Sequence, residues 1–323
     1  MVRISLIFIL IIIQSGCLRK TEDTNRDWRF YGGNASGDRY SDLTQINQSN
    51  VKQLKVAWIY DTGENNDTTK RGKLLEIQPV VVNGVLFGTT SDMKLFAVDG
   101  SSGKELWKFD PFEKGETKRT FHPVRGITYW EDGDDKRILY GVGSFLYGIN
   151  ATTGEKVKKF GNDGMVSLYE GLGDSSILGR DVSKLMVDLT SPGVIYEDLV
   201  IIGSRLSEGG NAAPGYIRAF NVRNGSLVWS FRTIPLPGEF GYDTWSPDSY
   251  KKIGGANNWA GLVIDEKRGI VFAGTGAPSG DFYGADRIGQ NLFANCLLAL
   301  DARTGKRIWH FQTVHHDLWD LDI

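Results

Sequence analysis

Four times the chain repeats one short pattern. An alternating apolar run ends in Asp or Asn, a glycine follows four residues later, and a second run begins. Leu95–Asp99 leads to Gly103 and then Glu105–Phe109, and Leu146–Asn150 leads to Gly154 and Glu155-Lys156. Ile217–Asn221 leads to Gly225 and Leu227–Phe231, and Leu298–Asp301 leads to Gly305 and Lys306–Phe311. Three copies end in Trp-x-Phe, at Trp107, Trp229 and Trp309, and a weaker copy with Trp58 spans Leu54–Gly63. Each unit reads as strand, tight turn, strand: the Asp or Asn side chain caps its own turn and Gly takes the positive φ. The tryptophan then falls at a fixed place on the outgoing strand, where its ring can pack between neighbouring sheets.

The turn glycines are 51, 71 and 80 residues apart, too irregular for a tight solenoid. Apolar runs at Pro79–Thr89, Ile138–Gly143, Val194–Gly203 and Gly261–Gly274 supply the remaining strands. The expected class is therefore all-β, with four-stranded blades repeated radially as a β-propeller and loops of variable length. Forty glycines in 323 residues, well above the usual share of about 7%, agree with many turns. Lys and Arg number 37 against 39 Asp and Glu. That balance excludes a nucleic-acid binder, which needs a basic face to displace counterions.

Residues 1–16 read as a secretory signal: one Arg, an apolar run from Ile4 to Ile13 too short to span a bilayer, and small residues before Cys17. Ser15-Gly16-Cys17 resembles a bacterial lipobox, so Cys17 is expected to carry a lipid, with residues 17–27 as the lipidated cysteine and its tether. Simple secretion is the alternative. The expected location is periplasmic and membrane-anchored. The other cysteine, Cys296, has no partner for an internal disulfide and lies in an apolar stretch as a small buried hydrophobe. No C-x-x-C-H occurs, so this segment carries no c-type haem.

The richest chemistry lies in His315-His316-Asp317-Leu318-Trp319-Asp320, which packs two imidazoles, two carboxylates and an indole into six residues. Taken alone it reads as a metal cluster, a polar loop or a general base in a partly dry cleft. Adjacent histidines on a strand point to opposite faces and rarely share one ion. An Asp beside a Trp at a strand end suits a general base. Gly254–Trp259, Thr275–Asp281, His122–Gly126 and Ser204–Gly210 are loops between strands. The last lacks the helix and lysine of a nucleotide phosphate loop.

In their order along the chain, Trp28–Asn47, Arg125–Trp130, Thr190-Ser191-Pro192, Asn258-Trp259 and Thr313–Asp320 resemble the pyrroloquinoline-quinone (PQQ)-dependent dehydrogenases. The likeness is closest to the membrane-type quinoprotein glucose dehydrogenases. The hairpin repeat likewise resembles the tryptophan docking motif of the quinoprotein propellers, which use eight blades. Residues 28–323 are then roughly the first half of such a ring, and the chain is expected to be the N-terminal part of a longer protein. The resemblance implies Asp320 as the general base that takes the substrate hydroxyl proton, and Trp259 as the floor under the planar quinone. It implies Glu208 as a ligand of Ca²⁺ or Mg²⁺, and Glu76, Arg125 and Thr190 as groups that bond the quinone's carboxylates and carbonyls.

Two departures stand out. The alcohol-oxidising members cap the quinone with adjacent cysteines, which this chain lacks, and His122 is the nearest candidate cap. They also place an Asn metal ligand where this chain has Ala277, so Ser279 or water is expected instead. The implied reaction is oxidation of an aldose at its anomeric carbon to a lactone. Hydride passes to PQQ, and electrons pass on to ubiquinone, menaquinone or a cytochrome c. The alternatives are an alcohol dehydrogenase, a non-enzymatic outer-membrane propeller lipoprotein that scaffolds partner proteins, and a degraded gene remnant.

Overall fold

A computed structural model describes residues 27–64, 74–115, 117 and 123–322. The expected signal segment (1–16), Cys17, all of the tether but Asp27, and His122 lie outside them.

Four antiparallel four-stranded meanders follow one another. The first blade holds β1 (Val80–Val82), β2 (Val85–Thr89), β3 (Leu95–Asp99) and β4 (Glu105–Phe109). The second holds β5 (Thr128–Asp132), β6 (Asp135–Val142), β7 (Phe145–Asn150) and β8 (Met165–Ser167). A short pair made by β9 (Val187–Asp188) and β12 (Arg205–Leu206) flanks the third blade. That blade is built from β10 (Val194–Tyr196), β11 (Leu199–Ile202), β13 (Ile217–Asn221) and β14 (Leu227–Phe231). The fourth blade holds β15 (Leu262–Asp265), β16 (Ile270–Gly274), β17 (Cys296–Asp301) and β18 (Arg307–Gln312). The first strands β5, β10 and β15 lie against one another at the hub. The segment from Trp28 crosses that hub, pairing with Val81 in the first blade and with Ile264 in the fourth through Ala35. These blades are of the propeller type expected from the repeat.

The strand sequences follow from burial on both faces. Successive side chains of a strand point to opposite sides, and in an inner blade both sides are seams. In β6, Ile138 and Tyr140 enter the core shared with the first blade, while Leu139 enters the core shared with the third. In β11, Val200 and Ile202 face the second blade and Ile201 faces the fourth. Such strands read as continuous apolar runs rather than as half-buried alternation. Cys296 is fully buried in the last core, where desolvation pushes its thiol up to about 12.

The repeat works as a joint. Asp99 Oδ1 accepts from Ser101 N and Ser102 N, and Asp301 Oδ1 accepts from Arg303 N and Thr304 N. Asn150 and Asn221 cap their turns in the same way. A register shift just before the capping residue recurs in the first, third and fourth blades. The carbonyl after the cap then receives an indole from the preceding blade. Trp107 Nε1 donates to Ala151 O at 3.1 Å and Trp229 Nε1 to Ala302 O at 3.0 Å. Trp58, from a segment outside the four sheets, donates to Gly100 O at 3.1 Å. The turn glycine is required twice over. Gly305 has φ +69°, and a Cβ there would lie 2.5 Å from the Trp229 ring.

The second blade departs from the expected hairpin. Lys156-Val157-Lys158-Lys159 has no alternation to make an edge strand. The chain turns instead, Phe160 folds back over Gly148 into the core, and the outer strand arrives later as β8. This blade therefore has no docking tryptophan on its outer strand, although Trp130 on its first strand donates Nε1 to Glu197 O of the third blade at 3.2 Å. Arg137, fully buried on β6, takes the place of the missing outer tryptophan. Its Nη1 donates to Val222 O at 2.6 Å and Arg223 O at 2.9 Å, and Val222 is the residue after the cap Asn221. Asp135 holds the guanidinium bidentately at 2.7 and 2.6 Å.

This substitution is directly testable by urea unfolding. Trp107→Phe keeps an aromatic ring but loses the indole hydrogen bond and part of its packing, and should cost about 1–2 kcal/mol. Arg137→Leu strands two buried carbonyls and a carboxylate and should cost about 3 kcal/mol or more. Equal losses in the two variants would show that Arg137 is not the joint.

Candidate active site

In an up-and-down meander the connections between strands 1 and 2 and between 3 and 4 lie at one end. Those between 2 and 3, and from 4 to the next blade, lie at the other. The docking turns occupy the first end, and the chemistry occupies the second. Glu76 and Arg125 stand just ahead of β1 and β5, and Thr190 and Trp259 just ahead of β10 and β15. Glu208 lies on the connection from β11 to β13, Ser279 on that from β16 to β17, and Asp320 beyond β18. The connections between strands 2 and 3 are long only in the third and fourth blades, at 203–216 and 275–295.

The leaders are tied to each other around the hub. Gln78 N donates to Arg125 O at 2.9 Å, Arg125 N to Thr190 O at 2.7 Å, and Ser191 Oγ to Trp259 O at 2.6 Å. Arg125 is fixed by Glu76 at 3.0 Å and lies 3.5 Å from Thr190 Oγ1, with its guanidinium 5.1 Å from the centre of the Trp259 ring. Arg125, Trp259, Glu208, Ser279 and Asp320 line one open cleft of about 300 Å³. Thr190 borders Trp259 from behind. Glu76 reaches the group through Arg125.

Individual roles differ. Glu208 is largely exposed and pairs with Arg205 at 3.3 Å. Ser279 is buried, and its Oγ accepts from Gly254 N at 2.9 Å. His315 and His316 do not sit on a strand. They follow β18 as a bend in which His316 takes φ 49° and its ring Nδ1 lies 3.0 Å from Gly289 O. Among the described residues, no three His, Cys, Asp or Glu side chains stand close enough to cage an ion by themselves.

Three more residues of the cleft escaped the sequence reading: Arg205, Asp281 and Asp322. Asp322 Oδ2 accepts from Trp259 Nε1 at 2.8 Å, and Oδ1 accepts from Ala277 N at 2.9 Å. Gly276 makes that approach possible, because a Cβ there would lie 2.1 Å from the carboxylate. The Asp-x-Asp spacing, which in an extended chain would put residues 320 and 322 on one side, is the available signal, although the left-handed backbone at Asp320 breaks that extension. Asp281 fell inside a motif read as a turn, and Arg205 carried no spacing cue.

The carboxylates repel one another. Burial, then the charges of Asp320, Glu208 and Asp322, push the Asp281 carboxyl up to about 6. Burial, then Asp322 and Glu208, raise that of Asp320. A cleft rich in oxygen donors, with two carboxylates that resist ionisation and two guanidinium groups, suits a cation together with an anionic ligand.

Residues 28–323 match the family described as PQQ: glucose/ethanol/alcohol dehydrogenase, β-propeller domain, and the chain belongs to that family. It is 34% identical to quinoprotein glucose dehydrogenase A of Acinetobacter calcoaceticus over 92% of this chain and 39% of the relative. It is 32% identical to the quinate/shikimate dehydrogenase (quinone) of Acinetobacter baylyi over 92% of this chain and 38% of that protein. Among solved structures, the quinohemoprotein alcohol dehydrogenase from Comamonas testosteroni superposes with a TM-score of 0.73 at 26% identity, covering 92% of this chain and 42% of that one. The chain thus spans about two-fifths of the length of these relatives.

Asp281 gives a pH test of the cleft. Its folded pKa lies above the unfolded value of 3.8. Its contribution is therefore present at low pH and is lost as pH rises through about 6. Asp281→Asn should stabilise the ligand-free chain at pH 7.5, by the order of 1 kcal/mol after solvent screening. The gain should vanish below pH 4. A variant equally stabilised at both pH values would contradict the charge argument.

Proposed function

We propose that this chain carries the cofactor cleft of a PQQ-dependent dehydrogenase that oxidises an aldose at its anomeric carbon to the lactone. The observation that carries the reading is the meeting of Trp259, Arg125, Glu208 and Asp320 in one cleft, from four separate blade connections.

The residues suit the quinone. PQQ is a flat tricyclic ring with three carboxylates. The Trp259 indole offers a stacking surface whose plane is fixed by Asp322 at one end and by Ser191 on its backbone. Arg125 offers a fork for a carboxylate, and Arg205 adds a second cation beside it. The residues also suit Ca²⁺ or Mg²⁺, since Glu208 and Ser279 present oxygen donors. They form only part of an ion's shell, so the rest would come from the cofactor or water. When bound, the quinone accepts hydride and the cation draws electron density from it.

The chain's own part in the chemistry is orientation and proton transfer. Asp320 takes the substrate hydroxyl proton as the hydride leaves the carbon that bears that hydroxyl. Its raised pKa brings the carboxylate closer to the working pH and makes it a better base than a surface Asp. Below that pKa the carboxyl is protonated and turnover should fall. The sugar is favoured over an alcohol by the identity to glucose dehydrogenases and by the absence of any adjacent cysteine pair in the sequence. The alcohol reading has its own support in the likeness to solved quinohemoprotein alcohol dehydrogenases. Electrons would pass to a membrane quinone or a cytochrome c, from a lipid-anchored protein in the bacterial periplasm.

Two measurements test this. Asp320→Asn should keep quinone binding, followed by tryptophan quenching, within about threefold while turnover falls at least about 100-fold. Unchanged turnover removes the base. With a dye acceptor, kcat/KM for aldoses should exceed that for primary alcohols by about tenfold or more. The reverse order replaces the sugar with an alcohol.

A further inference from the structure

The stretch His315–Asp320 holds two carboxylates, and only one lines the cleft. Asp317 points the other way and is 2% exposed. Its Oδ1 accepts from Trp319 N at 2.9 Å, and its Oδ2 from Leu321 N at 2.8 Å and Asn295 Nδ2 at 3.0 Å. The two backbone donors belong to the residues on either side of Asp320. Asp320 itself sits at φ 56°, a left-handed conformation that a non-glycine residue holds only when its surroundings impose it.

Arg287 closes the frame from below. It is fully buried, and its Nη2 donates to Asp317 O at 2.5 Å and lies 3.4 Å from Asp281 O. Its Nη1 donates to Asn291 Oδ1 at 3.2 Å, and Asn291 Nδ2 returns a bond to Arg287 O at 2.7 Å. One guanidinium thus holds the backbone of two of the three segments that bring carboxylates to the cleft, those of Asp281 and Asp320. Burying a charged group this way is a poor route to stability, since apolar residues of similar size serve as well or better. The frame's distinctive product is a fixed place for Asp320.

We propose that Asp317 and Arg287 are positioning residues that hold Asp320 in its working geometry. This rests on the reading of Asp320 as the base. Displacing a reacting group by about 1 Å can cost of the order of 100-fold in rate, so loosening the frame should act on kcat and spare substrate binding.

The test compares Asp317→Asn, Arg287→Lys and Asp320→Asn in the cofactor-loaded full chain, with amide hydrogen exchange measured on the same proteins. In Asp317→Asn the amides of Trp319 and Leu321 should exchange at least tenfold faster, while those of Leu298 and Leu300 in β17 keep their rates. Its kcat should fall at least tenfold with KM within twofold. Arg287→Lys, which keeps the charge but loses the fork, should show the same split at about threefold, and it decides the matter if Asp317→Asn does not fold. Unchanged amide rates, an unchanged kcat, or kcat and KM moving together would overturn the proposal. Full turnover in Asp320→Asn would instead remove the base, and the amide rates would still show whether Asp317 holds the turn.

Discussion

An indole N–H can donate one hydrogen bond, and in this molecule that bond crosses from one sheet to the next. Trp58, Trp107 and Trp229 each reach a carbonyl just past the capped turn of the following blade, with their rings against that turn's glycine. The bond is a modest one in energy. Its geometric effect is larger, because it sets the angle and register between sheets whose faces are otherwise only greasy. The apolar seams then fill in between surfaces already aligned. Everything at the opposite end of the blades, including the spacing of Arg125, Thr190 and Trp259 around the hub, inherits that alignment.

The seams and the turns were legible in the sequence because they depend on local, repeated features. A capping Asp or Asn, a glycine four residues on and a Trp-x-Phe strand report the joint without reference to anything distant. The intervening runs announced the inner strands because burial on both faces leaves them few polar positions. The second blade was misread at its outer edge, where a lysine-rich stretch gave no periodic signal and tertiary packing of Phe160 decided the path. Arg137 was invisible for a related reason. Nothing near it in sequence says that a buried cation faces the carbonyl after Asn221.

The cleft was legible to a different degree. Of the residues drawn from the family resemblance, Arg125, Trp259, Glu208, Ser279 and Asp320 line one cleft, with Glu76 and Thr190 beside it, and their positions on separate connections explain why no local motif encloses them. Arg205, Asp281 and Asp322 were missed because their roles arise from distant pairings: β9 beside β12, Arg287 on the Asp281 carbonyl, and Trp259 on Asp322. The same geometry explains the charge state of the site. Several carboxylates share a partly desolvated space with few counter-charges, so each raises the others' affinity for protons.

One seam differs from the rest in kind. Where Trp58 and Trp229 dock, the acid-sensitive group is the carboxylate that caps the turn, Asp99 or Asp301, each held below its ordinary range by hydrogen bonds within that turn. The seam between the second and third blades is closed by a guanidinium whose companion is Asp135, and the hydrogen bonds from Arg137 hold that carboxyl below its ordinary range. Such a depressed acid contributes above its unfolded pKa and loses its contribution as pH falls through the folded one. Acid would therefore weaken the carboxylate's hold on Arg137 in this joint. The apolar core of the same seam, which runs from Trp130 and Leu139 to Val200 and Phe220, does not titrate, so acid would slacken the joint without parting the two blades.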